Sequence, residues 1–319
     1  MKLDFEEYII DIVESCSYRL NGALRVGTTR PIESPSFKER VADATKAFLV
    51  DGTSRENGYV LIVSNPRFPD FVNQAVSRAF DAQSVLGSSL GRAVCTPLLT
   101  GAWGGQSYAV YKRLDGYSRN KYLRRIQILS SSERIFAWLS GVFDRTKTEY
   151  KGAMDQERDF FNPLRILSAD KSLDDIVQKA AFALESRISR GEARTFSCLQ
   201  HGDFWFGNIL FYRSAASSLS PIRQKFQVID WGGSRLNGYP GIDALRFSLS
   251  AFGQGRVASE RFCSYCDIIG LSKVELSLSC VCSLGWLEAN LNQFPKSRFN
   301  ELASNVVRFL DRHEFLDAQ

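Results

Sequence analysis

A polar loop between two apolar segments constrains this chain more than any other stretch. The loop contains His201 and Asp203, and Asn208 follows Asp203 by five positions. Residues 209–211 are apolar, a Ser- and Ala-rich turn comes next, and a second apolar segment ends just before Asp230. This pattern predicts a β-hairpin. Because Asn208 precedes its first strand and Asp230 follows its second, we expect both residues at the same end of the hairpin.

The residue types at this end suit proton and cation chemistry. The carboxylate of Asp203 can accept the proton of an attacking hydroxyl group. The amide oxygen of Asn208 and the carboxylate of Asp230 are hard oxygen ligands, which Mg²⁺ prefers. We therefore assign Asp203 as a candidate base and Asn208 and Asp230 as candidate metal ligands.

The same stretch resembles the aminoglycoside phosphotransferase and choline kinase family, whose fold is protein-kinase-like. The resemblance is carried by a His-Gly-Asp triplet, a later Asn, an Ile-Asp-Trp triplet and a Gly-Ile-Asp triplet: His201-Gly202-Asp203, Asn208, Ile229-Asp230-Trp231 and Gly241-Ile242-Asp243. It extends over residues 59–247 and is specific over residues 199–243. By this resemblance, Asp243 braces the catalytic loop. We expect His201, which lies two residues before the candidate base, to orient the loop rather than to transfer a proton.

The resemblance implies an α+β fold with two lobes. We expect a small β-rich N-terminal nucleotide lobe over residues 1–115 and a larger helical catalytic and substrate lobe over residues 116–319. Apolar periodicity predicts helices over residues 5–20, 119–142, 173–188, 244–252, 276–291 and 299–315, and strands over 46–50, 59–64, 92–99 and 106–114. The resemblance implies a further helix over residues 70–86, after the third strand.

The small lobe should hold the nucleotide. By the resemblance, the loop before the strand at 46–50 covers the phosphates, and Thr45 offers a hydroxyl and an amide there. The end of the strand at 106–114 corresponds to the hinge, which places the adenine contacts near Tyr111 and Arg113. These positions are expectations from the family, since backbone contacts leave no side-chain pattern to read.

One expected feature is missing. The family usually has a lysine in the third strand that holds the α- and β-phosphates, and Ile62 occupies that place here. The following helix also lacks the glutamate that would pair with it, and the joint loss avoids an unpaired buried charge. Lys46 is our preferred replacement and Arg67 the second choice. The remaining alternative is that nothing replaces the lysine.

The implied reaction uses ATP as co-substrate with Mg²⁺ and moves its γ-phosphoryl group to a hydroxyl of a small molecule, such as a sugar, an amino alcohol or an aminoglycoside. Scattered carboxylates in the C-terminal helices favour a sugar or amino alcohol over a polycationic antibiotic. Aromatic side chains in and after the loop are candidates to stack on that acceptor or to pack in the core: Phe204, Trp205, Phe206 and Trp231. The main alternative is a pseudokinase that binds a nucleotide or partner without turnover, and a third is transfer of the nucleotide itself.

Composition limits the remaining classes. A net charge of +5 suits an anionic nucleotide, and we expect no nucleic-acid partner. The sequence has no uncharged apolar run of about 18 residues, so we expect no membrane span. The polar N-terminus is unlike a signal peptide. Seven cysteines fit a reducing cytoplasm. Cys263, Cys266, Cys280 and Cys282 could bind zinc, although the apolar pattern after Cys280 favours core positions. The oligomeric state is left open.

Overall fold

The structure is a computed structural model that describes residues 5–32, 45–53, 58–212, 225–291 and 294–316. Most of the loop predicted to cover the phosphates, residues 42–44, lies outside these ranges. So does much of the turn predicted between the first two strands.

The small lobe is one antiparallel sheet with a helix on each face. Its elements are α1 (Phe5–Arg19), β1 (Arg30–Pro31), β2 (Thr45–Asp51), β3 (Gly58–Ser64), α2 (Phe71–Leu90), β4 (Leu99–Trp103) and β5 (Gln106–Lys112). The strand order is β1-β2-β3-β5-β4. Alternate residues of the strands pack against Ile9 and Ile12 of α1 on the outer face. Val72 and Val76 of α2 pack against Ala109 on the inner face.

The large lobe is mainly helical. Its elements are α3 (Lys121–Thr146), β6 (Thr148–Tyr150), α4 (Ala153–Gln156), a π-helical turn (Glu157–Phe161), α5 (Asn162–Ala169), α6 (Asp175–Ser189), β7 (Thr195–Gln200), β8 (Ile209–Phe211), β9 (Phe226–Val228), β10 (Arg235–Gly238), α7 (Ile242–Phe252), α8 (Arg256–Ile269), α9 (Lys273–Ala289) and α10 (Lys296–Arg312). Strands β10, β7 and β6 form one sheet in that order, and β8 pairs with β9. Asp115, at the predicted lobe boundary, exchanges backbone hydrogen bonds of 2.8 and 2.9 Å with Phe211.

Helix α9 is the central element of this lobe, because it is buried along most of its length. Its first turn has a capping box, in which Ser272 and Glu275 each accept a backbone N–H of the other. The buried Glu275 carboxylate also accepts from Nε of Arg194 at 2.6 Å, which ties the helix to the chain just before β7. Cys280 and Cys282 are buried within α9, as small apolar side chains would be.

The bilobal α+β architecture predicted from the sequence is confirmed, and so is the hairpin of β8 and β9, in which Ile209 pairs with Val228. The prediction of a strand over 92–99 was wrong. That stretch contains a short 3₁₀ helix (Gly91–Ala93), an extended segment, and only the first residue of β4. Ala93, Val94 and Cys95 are buried beneath the hairpin, where the Cys95 N–H donates to the Val228 carbonyl at 2.9 Å, whereas Leu98 is exposed. No single helix in the described ranges is long and apolar enough to cross a membrane, and only the bent pair α8 and α9 passes that test together.

The packing of α9 on α5 generates a stability prediction. A Cβ added at Gly285 would lie 2.1 Å from the Pro163 carbonyl oxygen, so the two helices approach as closely as a glycine permits. Gly285→Ala should lower the free energy of unfolding by about 1–3 kcal/mol, the usual cost of overpacking a core. Urea denaturation measures this change.

Gly116→Ala is the matched control, because its Cβ would make only an ordinary contact of 3.5 Å with Leu210. It should change the free energy of unfolding by less than about 0.5 kcal/mol. Equal effects of the two substitutions would contradict the tight helix contact.

Candidate active site

Asp243 fixes the start of the loop that follows β7. Its buried carboxylate accepts the backbone N–H of His201 at 2.6 Å and that of Gly202 at 3.0 Å. Burial raises the pKa of Asp243, and the two N–H groups and His201 act in the opposite direction. Gly202 has φ +85°, and a Cβ there would lie 2.6 Å from the Gly233 carbonyl oxygen. Only glycine fits this turn without strain.

The His201 imidazole is held by backbone groups on both sides. One ring nitrogen, Nε2, is 2.9 Å from the Ile229 carbonyl, which makes it the protonated nitrogen. The other, Nδ1, accepts the backbone N–H of Asp203 at 3.3 Å. The ring also contacts Trp231 edge to face, with centroids 4.7 Å apart. The histidine therefore joins the loop to the segment that leads into Asp230.

Asp203 is held by two side chains. The amide nitrogen of Asn208 donates to its carbonyl oxygen at 2.8 Å and to its carboxylate at 3.1 Å. Arg246 donates to the Gly202 carbonyl at 2.7 Å and forms an ion pair with the Asp203 carboxylate. The carboxylate remains 41% exposed, so it stays accessible from outside the loop.

Arg246 was missed by the sequence reasoning. It lies on α7 three residues after Asp243, and this spacing places both side chains on the same face of the helix. A charged residue at that offset in an otherwise apolar helix was the signal that could have identified it.

Asp230 has a left-handed backbone, with φ 63° and ψ 61°, which is uncommon for a residue with a side chain. Its side chain is open to the space between the lobes, although protein surrounds it at longer range. This desolvation raises its pKa, the negative charge of Asp203 adds to the rise, and His201 opposes it. The carboxylate is thus placed where a cation would stabilise its charged form.

A cavity of about 270 Å³ lies between the lobes, above Asp230. Val60 and Ile62 form its upper wall and Leu210 and Ile229 its lower wall. The structure brings four of the predicted site residues to this cavity: Thr45, Tyr111, Asn208 and Asp230. Ile62, which stands where the family usually has a lysine, faces the cleft as part of this apolar wall.

Lys46 and Arg113 are not among the described residues that line the cavity. Lys46 pairs with Val63, whose side chain packs in the cluster beneath α1, on the face of the sheet away from the cleft. Since strand residues alternate between faces, Thr45 faces the cavity and Lys46 cannot do so from the same strand. Arg113 donates its backbone N–H to the Gly58 carbonyl at 2.8 Å, and its side chain lies along Gly58. Arg67, the second-choice cation, does not line the cavity either.

A different cation reaches the segment after Asp230. Arg78 of α2 donates a close hydrogen bond from its guanidinium to the Gly232 carbonyl. The first turn of α2 is also tied to the sheet, because the Val72 N–H donates to the Ser64 hydroxyl at 2.9 Å. Helix α2 therefore links the sheet to the loop of Asp230 without a lysine–glutamate pair.

The donor set fits a hard divalent cation. The Asn208 amide nitrogen is occupied by Asp203, which leaves the amide oxygen as a ligand beside the Asp230 carboxylate. Within the described residues no group of three or more His, Cys, Asp or Glu side chains is placed to hold a metal ion. A cation here would therefore take its other ligands from water and a bound phosphate, as Mg²⁺ commonly does.

Of the four aromatic residues in and after the loop, two belong to the core. Phe204 stacks on Trp138, with centroids 5.8 Å apart, and Trp231 is also buried. Trp205 and Phe206 are only partly buried. They are the two of this group that remain available to a ligand outside the loop.

No protein-family model matches this sequence, and no curated protein matches it. Solved structures do match over nearly the whole chain. The aminoglycoside phosphotransferase APH(4)-Ia, as a thermostable mutant in ternary complex with AMP-PNP and hygromycin B, is 13% identical with a TM-score of 0.55, covering 94% of this chain and 98% of its own.

Two further structures agree. The ethanolamine kinase of Plasmodium vivax is 12% identical with a TM-score of 0.55, covering 98% of this chain and 90% of its own. A putative fructosamine-3-kinase of Haemophilus somnus is 10% identical with a TM-score of 0.54, covering 94% and 96%. The resemblance drawn from the sequence is confirmed in the fold: this chain has the bilobal protein-kinase-like fold that these aminoglycoside phosphotransferase and small-molecule kinase structures share.

Proposed function

We propose that this protein is an ATP- and Mg²⁺-dependent phosphotransferase that moves the γ-phosphoryl group to a hydroxyl of a small molecule. The proposal rests on the grouping of three side chains: Asn208 and Asp230 both line the interlobe cavity, and Asn208 donates to the Asp203 carboxylate at 3.1 Å. The fold supports it, because structures with the same fold include one with AMP-PNP and hygromycin B and one of an ethanolamine kinase.

The cavity suggests how the nucleotide would lie. Its apolar walls suit an adenine ring between Val60 above and Ile229 below. The phosphates would then extend towards Asn208 and Asp230, with Thr45 at the edge of the small lobe. Arg78 is better placed than Lys46 to supply positive charge near this end, because its guanidinium already contacts the segment after Asp230.

The loop residues would divide the chemistry between them. Asp203 accepts the proton of the acceptor hydroxyl, while Asn208 and Arg246 hold the Asp203 carboxylate in position. Asn208 and Asp230 would hold Mg²⁺, which neutralises phosphate charge during phosphoryl transfer. His201 and Asp243 fix the backbone of the loop. Catalysis of this kind depends mainly on positioning and on charge stabilisation.

The acceptor is a small hydroxyl compound, such as a sugar, an amino alcohol or an aminoglycoside-like molecule. Trp205 and Phe206 are the candidates to contact it, and Arg124 lies over the Phe206 ring at 5.8 Å. A pseudokinase that binds nucleotide without turnover is the alternative. The apolar Ile62 in the cavity wall, where a phosphate-binding lysine was expected, is the observation that favours it.

Asp230→Asn separates the metal site from the rest of the fold. In the wild type, ATP with Mg²⁺ should raise the thermal midpoint by mass action, and the variant should lose this rise. Without ligands, the variant should be more stable at neutral pH, because the raised pKa of Asp230 means that its negative charge is less favourable in the folded protein than in the unfolded chain. That advantage should disappear as the pH falls below the ordinary aspartate value of 3.8.

Differential scanning fluorimetry across pH measures both effects. The control is Asp81→Asn, which removes an exposed carboxylate from α2 and should alter neither the midpoint nor the Mg²⁺ response. An unchanged Mg²⁺ response in Asp230→Asn would rule out the proposed metal ligand.

Asp203→Asn tests the proposed base. Loss of general-base catalysis should lower the turnover number by about 10²–10⁴-fold, while the midpoint shift with ATP and Mg²⁺ remains.

Mass spectrometry of the wild-type product, from a pool of sugars, amino alcohols and aminoglycosides, gives the acceptor and distinguishes phosphoryl from nucleotidyl transfer. Full activity of the variant would show that Asp203 is not the base. Nucleotide binding with no modified acceptor would favour the pseudokinase.

A further inference from the structure

A second and larger cavity, of about 860 Å³, lies beside the interlobe cavity. Its walls come from the end of α2, the segment after it, the end of β5, helix α3 and the hairpin of β8 and β9. The two cavities share Cys95, Lys112 and Leu114, so the end of β5 separates them. Neither Asp203, Asn208 nor Asp230 lines the second cavity, and the proposed phosphotransfer makes no use of it.

The charge of this cavity is one-sided. Four cationic side chains line it: Arg92, Lys112, Arg134 and Lys225. None of its described lining residues is Asp or Glu. The whole chain has 40 basic and 35 acidic residues, so a wall drawn evenly from the chain would contain almost as many acids as bases. The cavity therefore concentrates positive potential within a concave surface.

Three of these cations have no acidic counterpart in the described part of the chain. Arg92, Lys112 and Lys225 form no ion pair with a described carboxylate. Bringing like charges together is unfavourable unless an anion or solvent screens them. A bound anion would remove this repulsion.

The walls that position the cations are held together by hydrogen bonds. The Gln227 amide donates to the Arg92 carbonyl and to the Tyr212 hydroxyl, both at 2.8 Å. The Trp138 indole, in the wall, donates to the Leu90 carbonyl at 3.0 Å. The segment containing Arg92 and the hairpin strand next to Lys225 are thereby fixed to each other, so the cations converge on a defined space.

We propose that this second cavity binds a small polyanion that has at least two phosphate groups. Phosphate oxygens accept charge-assisted hydrogen bonds from arginine and lysine, which are the strongest class of such bonds. The volume exceeds the need of a single phosphate and suits a molecule of metabolite size. Such a ligand is either a phosphorylated metabolite or the phosphate chain of a nucleotide, and both offer the same chemistry.

Isothermal titration calorimetry with sodium tripolyphosphate tests the proposal, in low salt and without divalent cations. The test variant is Arg92→Gln/Lys225→Gln, which alters two cations of this cavity and none of the interlobe cavity. The control is Lys171→Gln/Lys179→Gln, which makes the same change of net charge at exposed positions of the large lobe. The test variant should bind tripolyphosphate at least about tenfold more weakly than the wild type, and the control should bind within about twofold.

Repeating the titrations with fructose 1,6-bisphosphate and with ATP identifies the source of the phosphates. These two probes are compared with each other. If the test variant binds the bisphosphate more weakly but ATP as the wild type does, the cavity is a metabolite site. If it binds ATP more weakly but the bisphosphate as the wild type does, the cavity is a second nucleotide site. Equal affinities of the test variant and the control for all three probes would overturn the proposal. So would the absence of tripolyphosphate binding to the wild type.

Discussion

The site depends on the two hydrogen bonds that the Asp243 carboxylate accepts from the backbone of His201 and Gly202. They connect a helix of the large lobe to the loop after β7 and hold that loop in a turn that requires glycine. From this turn His201 reaches the segment before Asp230. One buried carboxylate thus determines the positions of the candidate base and of both candidate metal ligands.

This arrangement concentrates negative charge in a small volume. Burial raises the pKa of both Asp230 and Asp243, and the charge of Asp203 adds to the effect at Asp230. Arg246 compensates on the outer side through its ion pair with Asp203. The inner side, around Asp230, is left to a ligand. These raised pKa values cost stability at neutral pH, and the cation that we propose to bind at Asp230 would offset part of that cost.

Much of this was predictable because the informative patterns are local. Apolar segments around a turn defined the hairpin, and the order of residues along it placed Asn208 and Asp230 at one end. The choice of Lys46 as the replacement cation was wrong because neighbouring strand residues point to opposite faces of the sheet. The sequence alone did not show whether Thr45 or Lys46 faces the cleft. Arg246 had a local signal, its offset of three residues from Asp243 on α7. Arg78 acts through a contact between distant elements, and no local pattern contains that information.

Helix α2 has a mechanical consequence. Its first turn is fixed to the sheet through Ser64, and further along Arg78 is fixed to the carbonyl of Gly232, two residues after Asp230. A helix is stiff over this length, so α2 is a rigid connection between the sheet of the small lobe and the segment after Asp230 in the large lobe. When the sheet tilts to close the cleft, we expect α2 to displace the segment after Asp230 at the same time. Closure of the lobes would then change the positions of the candidate cation ligands, because the hydrogen bond between Arg78 and the Gly232 carbonyl couples the two movements.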